Sequence, residues 1–229
     1  MRLPVILRVI IYITTNAPSG LGRGIVCHGG YEILSGVNTI DTRKSADADQ
    51  SQGIYLLSGS KYGAVFDSSN TTIDVDKAAG VAANENTYFR NSGYLIINKY
   101  GSGNGHTAAI ETTGAEIANW GNTTLNLLSG VENPVGVSVL PQQTKDAAYN
   151  KDGLCNIYGD FTVNAAQANA VGIKLLSTDT SLTKAQCNIF SDTSTSSDTS
   201  TSSNGCLNCN FAKGGTGVSI DGKKSVMVN

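Results

Sequence analysis

Five cysteines are the residues of this chain best able to do chemistry, and two of them form a Cys-x-x-Cys motif at Cys206 and Cys209. A structural zinc site normally needs four ligands, often two such pairs, and a thioredoxin-like redox site needs a strand–helix–strand setting. Cys27, Cys155 and Cys187 stand singly, and no histidine lies near the motif. We therefore predict a local disulfide between Cys206 and Cys209, with free thiols as the alternative, while Cys155 and Cys187 either pair or stay buried.

Of the two histidines, His28 and His106, the second lies in a glycine-rich segment, residues 103–106 (Gly-Asn-Gly-His). This segment resembles glycine-histidine stretches of polysaccharide hydrolases built on β-helices, which cleave with closely placed carboxylates. Here the acidic residues, such as Glu111 and Asp160, stand singly among neutral neighbours. The sequence therefore favours a loop histidine without a catalytic role, and we predict no catalytic residue.

A calcium-binding pattern is present but incomplete. Residues 47–51 (Asp-Ala-Asp-Gln-Ser) resemble the start of an EF-hand loop, but the required glycine is displaced to Gly53 and position twelve is Ser58, where the loop needs a bidentate Glu. The chain contains neither a Gly-x-Ser-x-Gly nucleophile elbow nor a Gly-x-x-x-x-Gly-Lys-Ser/Thr phosphate-binding loop. We predict that the protein binds no metal and no cofactor.

Aromatic side chains offer a further kind of site. Tyr55, Tyr62, Tyr94, Tyr100 and Trp120 recur along the middle of the chain, and an outward row of such rings would bind carbohydrate by stacking. Packing in the core or at corners is the alternative. We single out Tyr94, Tyr100 and Trp120 as the predicted carbohydrate contacts.

Composition indicates which elements must position these residues. Gly, Asn, Ser and Thr together make up about two residues in five, and these types favour turns and exposed strand faces over helices. Charged residues are only 15 % of the chain, against about 25 % in ordinary soluble domains. The sequence therefore predicts a β-rich, turn-rich and lightly charged protein.

The charge pattern argues against a nucleic-acid partner, and the hydropathy pattern argues against a membrane-spanning helix. The net charge is −2, and the only adjacent basic pairs are Arg43-Lys44 and Lys223-Lys224, so no basic stripe is available for a nucleic-acid backbone. The longest apolar run, residues 3–13, has 11 residues and contains Arg8, whereas a membrane-spanning helix needs about 20. We predict no nucleic-acid partner and no membrane-spanning helix.

Two short patterns recur in the sequence. The first is Gly or Ala followed by apolar, any and apolar residues, and it occurs at 53–56, 109–112 (imperfectly), 136–139, 172–175 and 217–220. The second is a small or polar lead into alternating apolar residues, and it occurs at 70–75, 93–97, 122–127 and 159–163. From residue 93 onward the two patterns alternate, and the steps between their glycines range from 28 residues, from Gly93 to Gly121, to 45 residues, from Gly172 to Gly217.

This repeat predicts an all-β fold, a right-handed parallel β-helix (a single-stranded β-solenoid). Each short strand offers too few inward apolar side chains to make a core alone, so successive coils must stack to build a continuous interior. Glycine ahead of the apolar positions suits a tight corner with positive φ, and asparagine tolerates the left-handed conformation at corners. A β-sandwich also has short, regularly spaced strands, but it does not require two strand types in ordered alternation.

The same pattern predicts the domain organisation. Residues 21–229 form the solenoid segment, and residues 1–20 are either a secretory leader or a first strand or cap of the stack. Residues 191–204 consist of Ser, Thr, Asp and Asn without one apolar side chain, so we predict a mobile loop that protrudes from the stack. Residues 43–52 and 142–153 are two further polar excursions.

The rhythm of these segments resembles the passenger repeats of bacterial autotransporter adhesins. It is carried by residues 118–127 (Ala-Asn-Trp-Gly-Asn-Thr-Thr-Leu-Asn-Leu) and 133–139 (Asn-Pro-Val-Gly-Val-Ser-Val), and it returns at 169–173 (Asn-Ala-Val-Gly-Ile). The resemblance covers residues 90–229 and, more loosely, 31–89. It implies a right-handed β-helix, a secreted or cell-surface location, and export through an outer-membrane β-barrel outside this chain (type V secretion).

The resemblance also implies a function, which is non-enzymatic attachment to protein or glycan ligands on host or neighbouring cells. Passengers of this family precede a C-terminal barrel, whereas this chain ends at residues 225–229 in what reads as the middle of a strand, so we expect a fragment of a larger protein. A polysaccharide lyase or hydrolase on the same fold is the alternative. An ice-binding or purely structural solenoid requires a regular threonine ladder, for which Thr71-Thr72 and Thr123-Thr124 are too scattered.

Overall fold

The computed structural model describes residues 5–8, 11–58, 64–103, 106–142, 150–177, 183–190 and 205–228. Within these ranges the chain forms twenty-two short strands in three parallel sheets. Strands that follow one another in sequence belong to different sheets, and the chain returns to the same sheet at every third strand. The prediction of an all-β parallel β-helix is confirmed.

The strands are numbered in chain order, and three consecutive strands make one coil. Sheet A contains β1 (Val5–Arg8), β4 (Gly30–Ser35), β7 (Ala64–Ser68), β10 (Tyr88–Asn91), β13 (Glu116–Asn119), β16 (Gly153–Ile157), β19 (Ala185–Ile189) and β22 (Ser225–Val228). Sheet B contains β2 (Ile11–Thr14), β5 (Asn38–Asp41), β8 (Thr71–Val75), β11 (Tyr94–Gly101), β14 (Asn122–Gly130), β17 (Asp160–Ala165) and β20 (Cys206–Phe211). Sheet C contains β3 (Ile25–His28), β6 (Ile54–Leu57), β9 (Val81–Asn84), β12 (Ala108–Thr113), β15 (Val135–Leu140), β18 (Ala170–Leu176) and β21 (Gly215–Asp221).

Each strand inside the stack pairs in parallel with the strand one coil before it and one coil after it. In sheet B, for example, Leu95 of β11 lies opposite Thr71 of β8, and Thr123 of β14 lies opposite Phe161 of β17. Neighbouring strands in such a sheet are about 4.8 Å apart. Each coil therefore lengthens the stack by one strand spacing, although the coils differ in their number of residues.

Alternation along the strands sends every second side chain into one shared interior. Ile40, Ile73, Ile97, Leu125 and Val163 follow one another in register through sheet B, and all five are fully buried. Burial of one such side chain contributes roughly 1.5–3 kcal/mol. A single strand gains little from this, whereas the column as a whole holds the coils together.

The two sequence patterns mark two of the three sheets. The glycine-led pattern forms strands of sheet C, in which the apolar residues after each glycine lie in register from coil to coil. The pattern with the polar lead forms strands of sheet B. The strand that each coil adds to sheet A is absent from the prediction.

The glycine ahead of the apolar residues in these sheet C strands is required for a reason other than the predicted one. Gly136, Gly172 and Gly217 do not have positive φ. Instead, successive coils approach closely: a Cβ at Gly136 would lie 2.5 Å from the carbonyl oxygen of Gly172, and a Cβ at Gly172 would lie 2.5 Å from that of Gly217. Positive φ at the corners that lead into these strands is found at Asn133 and Asn169, which agrees with the prediction for asparagine.

We expect Gly172→Ala to lower the free energy of unfolding by about 1–3 kcal/mol, the usual cost of forcing extra volume into a packed interior. The matched control is Gly217→Ala, because a Cβ there would meet only Cys209 Sγ, at 3.9 Å. That is an ordinary contact, so the control should change stability by less than about 0.5 kcal/mol. Urea denaturation measures both changes, and equal losses at the two glycines would contradict the close stacking of coils.

Buried asparagines close the corner between sheets A and B. The side-chain amide of Asn91 donates to Asn119 Oδ1 and to the backbone oxygen of Asn122, both at 3.1 Å. The amide of Asn119 donates to the backbone oxygens of Gly121, at 2.9 Å, and Asp160, at 3.0 Å. These bonds satisfy carbonyl groups where the chain turns from one sheet to the next.

The described residues at the start of the chain form the first coil of this stack. Strands β1 and β2 pair with β4 and β5, so residues 5–8 and 11–14 belong to the first coil. The excursion at 43–52 contains a 3-10 helix, Ala48–Gln50. The predicted loop at 191–204 and residues 143–149 lie outside the described residues. Across the described ranges, no helix has the length and apolar character needed to cross a bilayer.

Candidate functional site

Sheet B presents a regular outward surface, which we name the Thr–Asn face. It consists of two columns of side chains that follow the register of the sheet. The first column contains Thr39, Thr72, Ile96, Thr124, Thr162 and Asn208. The second column, two residues further along each strand, contains Asp41, Asp74, Asn98, Asn126, Asn164 and Asn210. Rungs are about 4.8 Å apart and the two columns about 6.7 Å apart.

The threonines of sheet B do not form a regular ladder, as predicted, although several of them share one outward column. Thr72 and Thr124 lie in one outward column, with Ile96 between them, while Thr71 and Thr123 are buried. The column is hidden in the sequence because its successive rungs are separated by unequal numbers of residues. It is interrupted at Ile96, so the repeating element of the face is the second column.

From Asp74 onward, the second column is a continuous ladder of side-chain hydrogen bonds. Asn98 donates to Asp74 Oδ1 at 2.8 Å, Asn126 donates to Asn98 Oδ1 at 2.8 Å, and Asn164 donates to Asn126 Oδ1 at 2.9 Å. Asn210 extends the ladder by donating to Asn164 Oδ1 at 2.9 Å. Each inner amide thus uses one N–H and one oxygen lone pair, and keeps one more of each for a ligand. The ladder fixes these groups in orientation.

Two of the three predicted carbohydrate contacts lie on this face. Tyr94 and Tyr100 both point outward from β11, and Tyr94 is 61 % exposed. The guanidinium of Arg43 lies 4.7 Å from the ring centroid of Tyr100. Arg43 also forms a 2.7 Å ion pair with Asp41, and this hydrogen bond lowers the pKa of Asp41. The ring of Tyr94 is therefore more open to a ligand than the ring of Tyr100, over which the guanidinium of Arg43 lies.

Trp120, the third predicted contact, lies in a separate aromatic stack at the corner between sheets A and B. Its ring stacks on Tyr158 with 3.9 Å between centroids, and Tyr158 stacks on Phe190 at 4.3 Å. Trp120 remains 47 % exposed, but Tyr158 covers one face of its ring. Tyr158 and Phe190 were not predicted, although each, like Trp120, is the first residue after a sheet A strand.

A second group of polar side chains lies where the chain enters sheet C. His106 Nδ1 is 2.7 Å from Glu111 Oε2, and this hydrogen bond raises the pKa of His106. Glu111 is therefore not isolated, as its neighbours in sequence suggested. Lys99 is fully buried, and its Nζ donates to the backbone oxygens of Lys77, at 2.8 Å, and Ala78, at 2.7 Å. Burial lowers the pKa of Lys99 to about 8.

An open cleft of about 270 Å³ lies beside this group. It is lined by Asp49, Lys77, Ser102, Gly103, Thr107, Glu132 and Asn133. His106 and Glu111 are not among the lining residues. Among the described residues, no three His, Cys, Asp or Glu side chains are grouped closely enough to hold a metal ion.

The structure does not bring the predicted disulfide partners together. Cys206 and Cys209 lie three residues apart in β20, so their side chains leave on opposite faces of the sheet. Both thiols are free, Cys206 on the outside and Cys209 half-buried. A disulfide needs Cα atoms within about 7 Å and converging side chains, which an extended i, i+3 pair does not provide. Cys155 and Cys187 are buried in sheet A.

Comparison with known proteins adds no relative from which a role can be transferred. No protein-family model, no curated protein and no solved structure matches this chain. The functional interpretation therefore depends on the geometry of the Thr–Asn face and of the polar group around His106.

Proposed function

We propose that this chain is a non-enzymatic, surface-exposed β-helical segment that mediates attachment to host or neighbouring cells. The observation that carries the proposal is the Thr–Asn face, whose amide ladder holds hydrogen-bonding groups at a fixed spacing beside the exposed ring of Tyr94. Because these groups repeat from coil to coil, they suit a repeating ligand better than a single small molecule. A surface polysaccharide is such a ligand.

The chemistry of the face supports a neutral glycan. From β11 to β17 the two columns carry uncharged side chains only, namely Ile96, Asn98, Thr124, Asn126, Thr162 and Asn164. Sugar hydroxyls both donate and accept hydrogen bonds, as do side-chain amides and threonine hydroxyls. The ring of Tyr94 offers an apolar surface to the C–H side of a sugar. The carboxylates of the two columns are confined to β5 and β8.

The finer assignment belongs to the same proposal. Under it, the chain is part of an autotransporter passenger on the bacterial cell surface, exported through an outer-membrane β-barrel translocator outside this chain. The parallel β-helix and the Asn-x-x-Gly corners at 133–136 and 169–172 support this, because the resemblance to adhesin passengers is carried by those same segments. The cell-surface ligands are then the glycans that the face contacts.

The test is binding of the recombinant chain to immobilised neutral polysaccharides and to whole cells. We expect Thr124→Arg to weaken binding at least about tenfold, a change of about 1.4 kcal/mol, because a long cation would cover the centre of the face. Tyr94→Ala should act in the same direction through loss of the exposed ring. Ser138→Arg is the matched control, since Ser138 is half-buried on β15 of sheet C, away from the face.

Two results would contradict the proposal. One is absence of binding to any polysaccharide or cell by a chain whose circular dichroism shows folded β-structure. The other is an equal loss of binding in Thr124→Arg and Ser138→Arg, because the contact would then not involve the Thr–Asn face.

The alternative function, a polysaccharide lyase or hydrolase, is favoured by the His106–Glu111 pair. The hydrogen bond to Glu111 raises the pKa of His106 and so favours its proton-donating form, but neither residue lines the neighbouring cleft. The binding assay separates the two functions when released sugar ends are measured in the same samples. Our proposal predicts none, and products that disappear in His106→Ala would instead establish the enzyme.

A further inference from the structure

Two buried cysteines occupy equivalent positions in successive coils. Cys155 of β16 lies in register opposite Cys187 of β19, both side chains are fully buried, and both thiols are free. In-register residues of neighbouring parallel strands have Cα atoms about 4.8 Å apart, and disulfides span Cα distances of about 4.4–6.8 Å. Both side chains leave the sheet on the same, interior side. The backbone thus brings the two Cα atoms within disulfide range. Because the two side chains leave in parallel, their Cβ atoms are also about 4.8 Å apart, and they must approach by a few tenths of an ångström to reach the usual 3.5–4.5 Å.

The surroundings of the pair are apolar. In the same interior column, Ile117 precedes Cys155 and Met227 follows Cys187. The Cys155 thiol has the Cys187 side chain as its hydrogen-bonding partner, and this contact together with burial raises the pKa of Cys155. Once the coils are closed, burial therefore keeps the Cys155 thiol protonated and shields both side chains from reagents. A reaction between them must take place while the coils are still assembling or are transiently open.

We propose that Cys155 and Cys187 form an inter-coil disulfide when the chain folds in an oxidising compartment. The oxidant is a disulfide, either a small molecule or the active site of a thiol oxidase. The thiolate of one cysteine attacks the oxidant, which breaks the oxidant's S–S bond, forms a mixed disulfide and releases one thiol. The second cysteine attacks the sulfur of the first, forming the Cys155–Cys187 bond and releasing the second thiol. Two protein S–H bonds are lost, and their protons and electrons leave with the two thiols of the reduced oxidant.

The bond would link two successive coils through residues that are far apart in sequence. It would join residues 32 positions apart, and closing a loop of that length removes conformational freedom from the unfolded chain. The inference depends on the stacking of the coils and not on glycan binding, so it can fail or hold independently of the proposed function.

The experiment is refolding of the full chain in a buffer of oxidised and reduced glutathione, then alkylation of the remaining thiols and mass spectrometry of proteolytic peptides. We expect a linked peptide pair that contains Cys155 and Cys187. We also expect the melting temperature to rise by about 5–10 °C relative to the reduced chain. Cys206→Ser, which removes the exposed thiol, should keep both results, and Cys187→Ala should lose both.

Three outcomes would overturn the inference. Alkylation of both Cys155 and Cys187 after oxidative refolding would show that the bond does not form. A linked pair made of other cysteines would contradict the register. A rise in melting temperature that persists in Cys187→Ala would assign the stabilisation to another reaction. The peptide analysis of the unsubstituted chain keeps the inference testable even if Cys187→Ala fails to fold.

Discussion

Replacement of Ile97 by alanine is expected to lower the free energy of unfolding by about 2–5 kcal/mol, the range found when a large aliphatic side chain is removed from a core. Ile97 is fully buried, and it lies in register between Ile73 and Leu125. Its loss leaves a cavity between side chains of the coils above and below. Because each coil holds the next, the neighbours cannot collapse into the cavity without shifting the sheet.

The control for this prediction is the preceding residue. Ile96 has the same side chain on the same strand, but it points outward and is 38 % exposed, so Ile96→Ala should cost less than about 1 kcal/mol. Urea denaturation of the two variants, with unchanged dependence on urea concentration, measures the difference. Equal losses would mean that β11 does not have one side in the core and one side in solvent.

A second large effect is expected from Lys99, through the dependence of stability on pH. Burial lowers its pKa in the folded protein to about 8, from 10.5, so between these values the unfolded chain binds more protons than the folded one. Stability that depends on Lys99 therefore rises as the pH increases from 8 to 10.5, by about 3 kcal/mol. The hydrogen bonds to Lys77 and Ala78 survive this change, because a neutral amine still has two N–H groups to donate.

Other groups titrate in the same range with the opposite sign, so the measurement needs a comparison. Burial raises the pKa of Cys27 and of Tyr88 and Tyr158. The stability that depends on such groups falls as the pH rises above their pKa values in the unfolded chain. These contributions are the same in Lys99→Met and cancel in the difference. We expect the stability of the unsubstituted protein relative to Lys99→Met to rise between pH 8 and 10.5. A constant or falling difference would show that the ammonium of Lys99 is not disfavoured by burial.

The sequence was sufficient to predict the stacked coils because two of the three strands in each coil have a strong pattern. A strand such as Asn122–Gly130 alternates over several residues after a polar lead, and that alternation is the property from which strands are recognised. The sheet A strands do not reach this length. Tyr88–Asn91 and Glu116–Asn119 have four residues each, and Phe89 and Ile117 are their only large buried side chains. A single buried apolar residue cannot show the alternation from which a strand is recognised in a sequence.

The candidate site was predicted only in part, because its residues come together through register. Trp120, Tyr158 and Phe190 stack on one another but are 38 and 32 residues apart in sequence, so no fixed period connects them. Tyr94 and Tyr100, in contrast, lie six residues apart on one strand, so alternation along that strand alone puts both on the same side of the sheet. The Cys206–Cys209 disulfide was predicted because the two residues are close in sequence. In an extended strand, side chains three residues apart point to opposite faces of the sheet.

The most direct test of the coil stack is a set of distances along the first column of the Thr–Asn face, which begins with Tyr12 opposite Thr39. Spin labels on unnatural amino acids, which leave the cysteines free, would replace Tyr12 and, in turn, Thr124, Thr162 or Asn208. These positions are four, five and six rungs from Tyr12, so pulsed electron paramagnetic resonance should give distances of about 19, 24 and 29 Å. Steps of one strand spacing, despite unequal steps in sequence, are the predicted result. Distances that do not increase by one strand spacing per rung would contradict the stack and, with it, the face on which the proposed attachment depends.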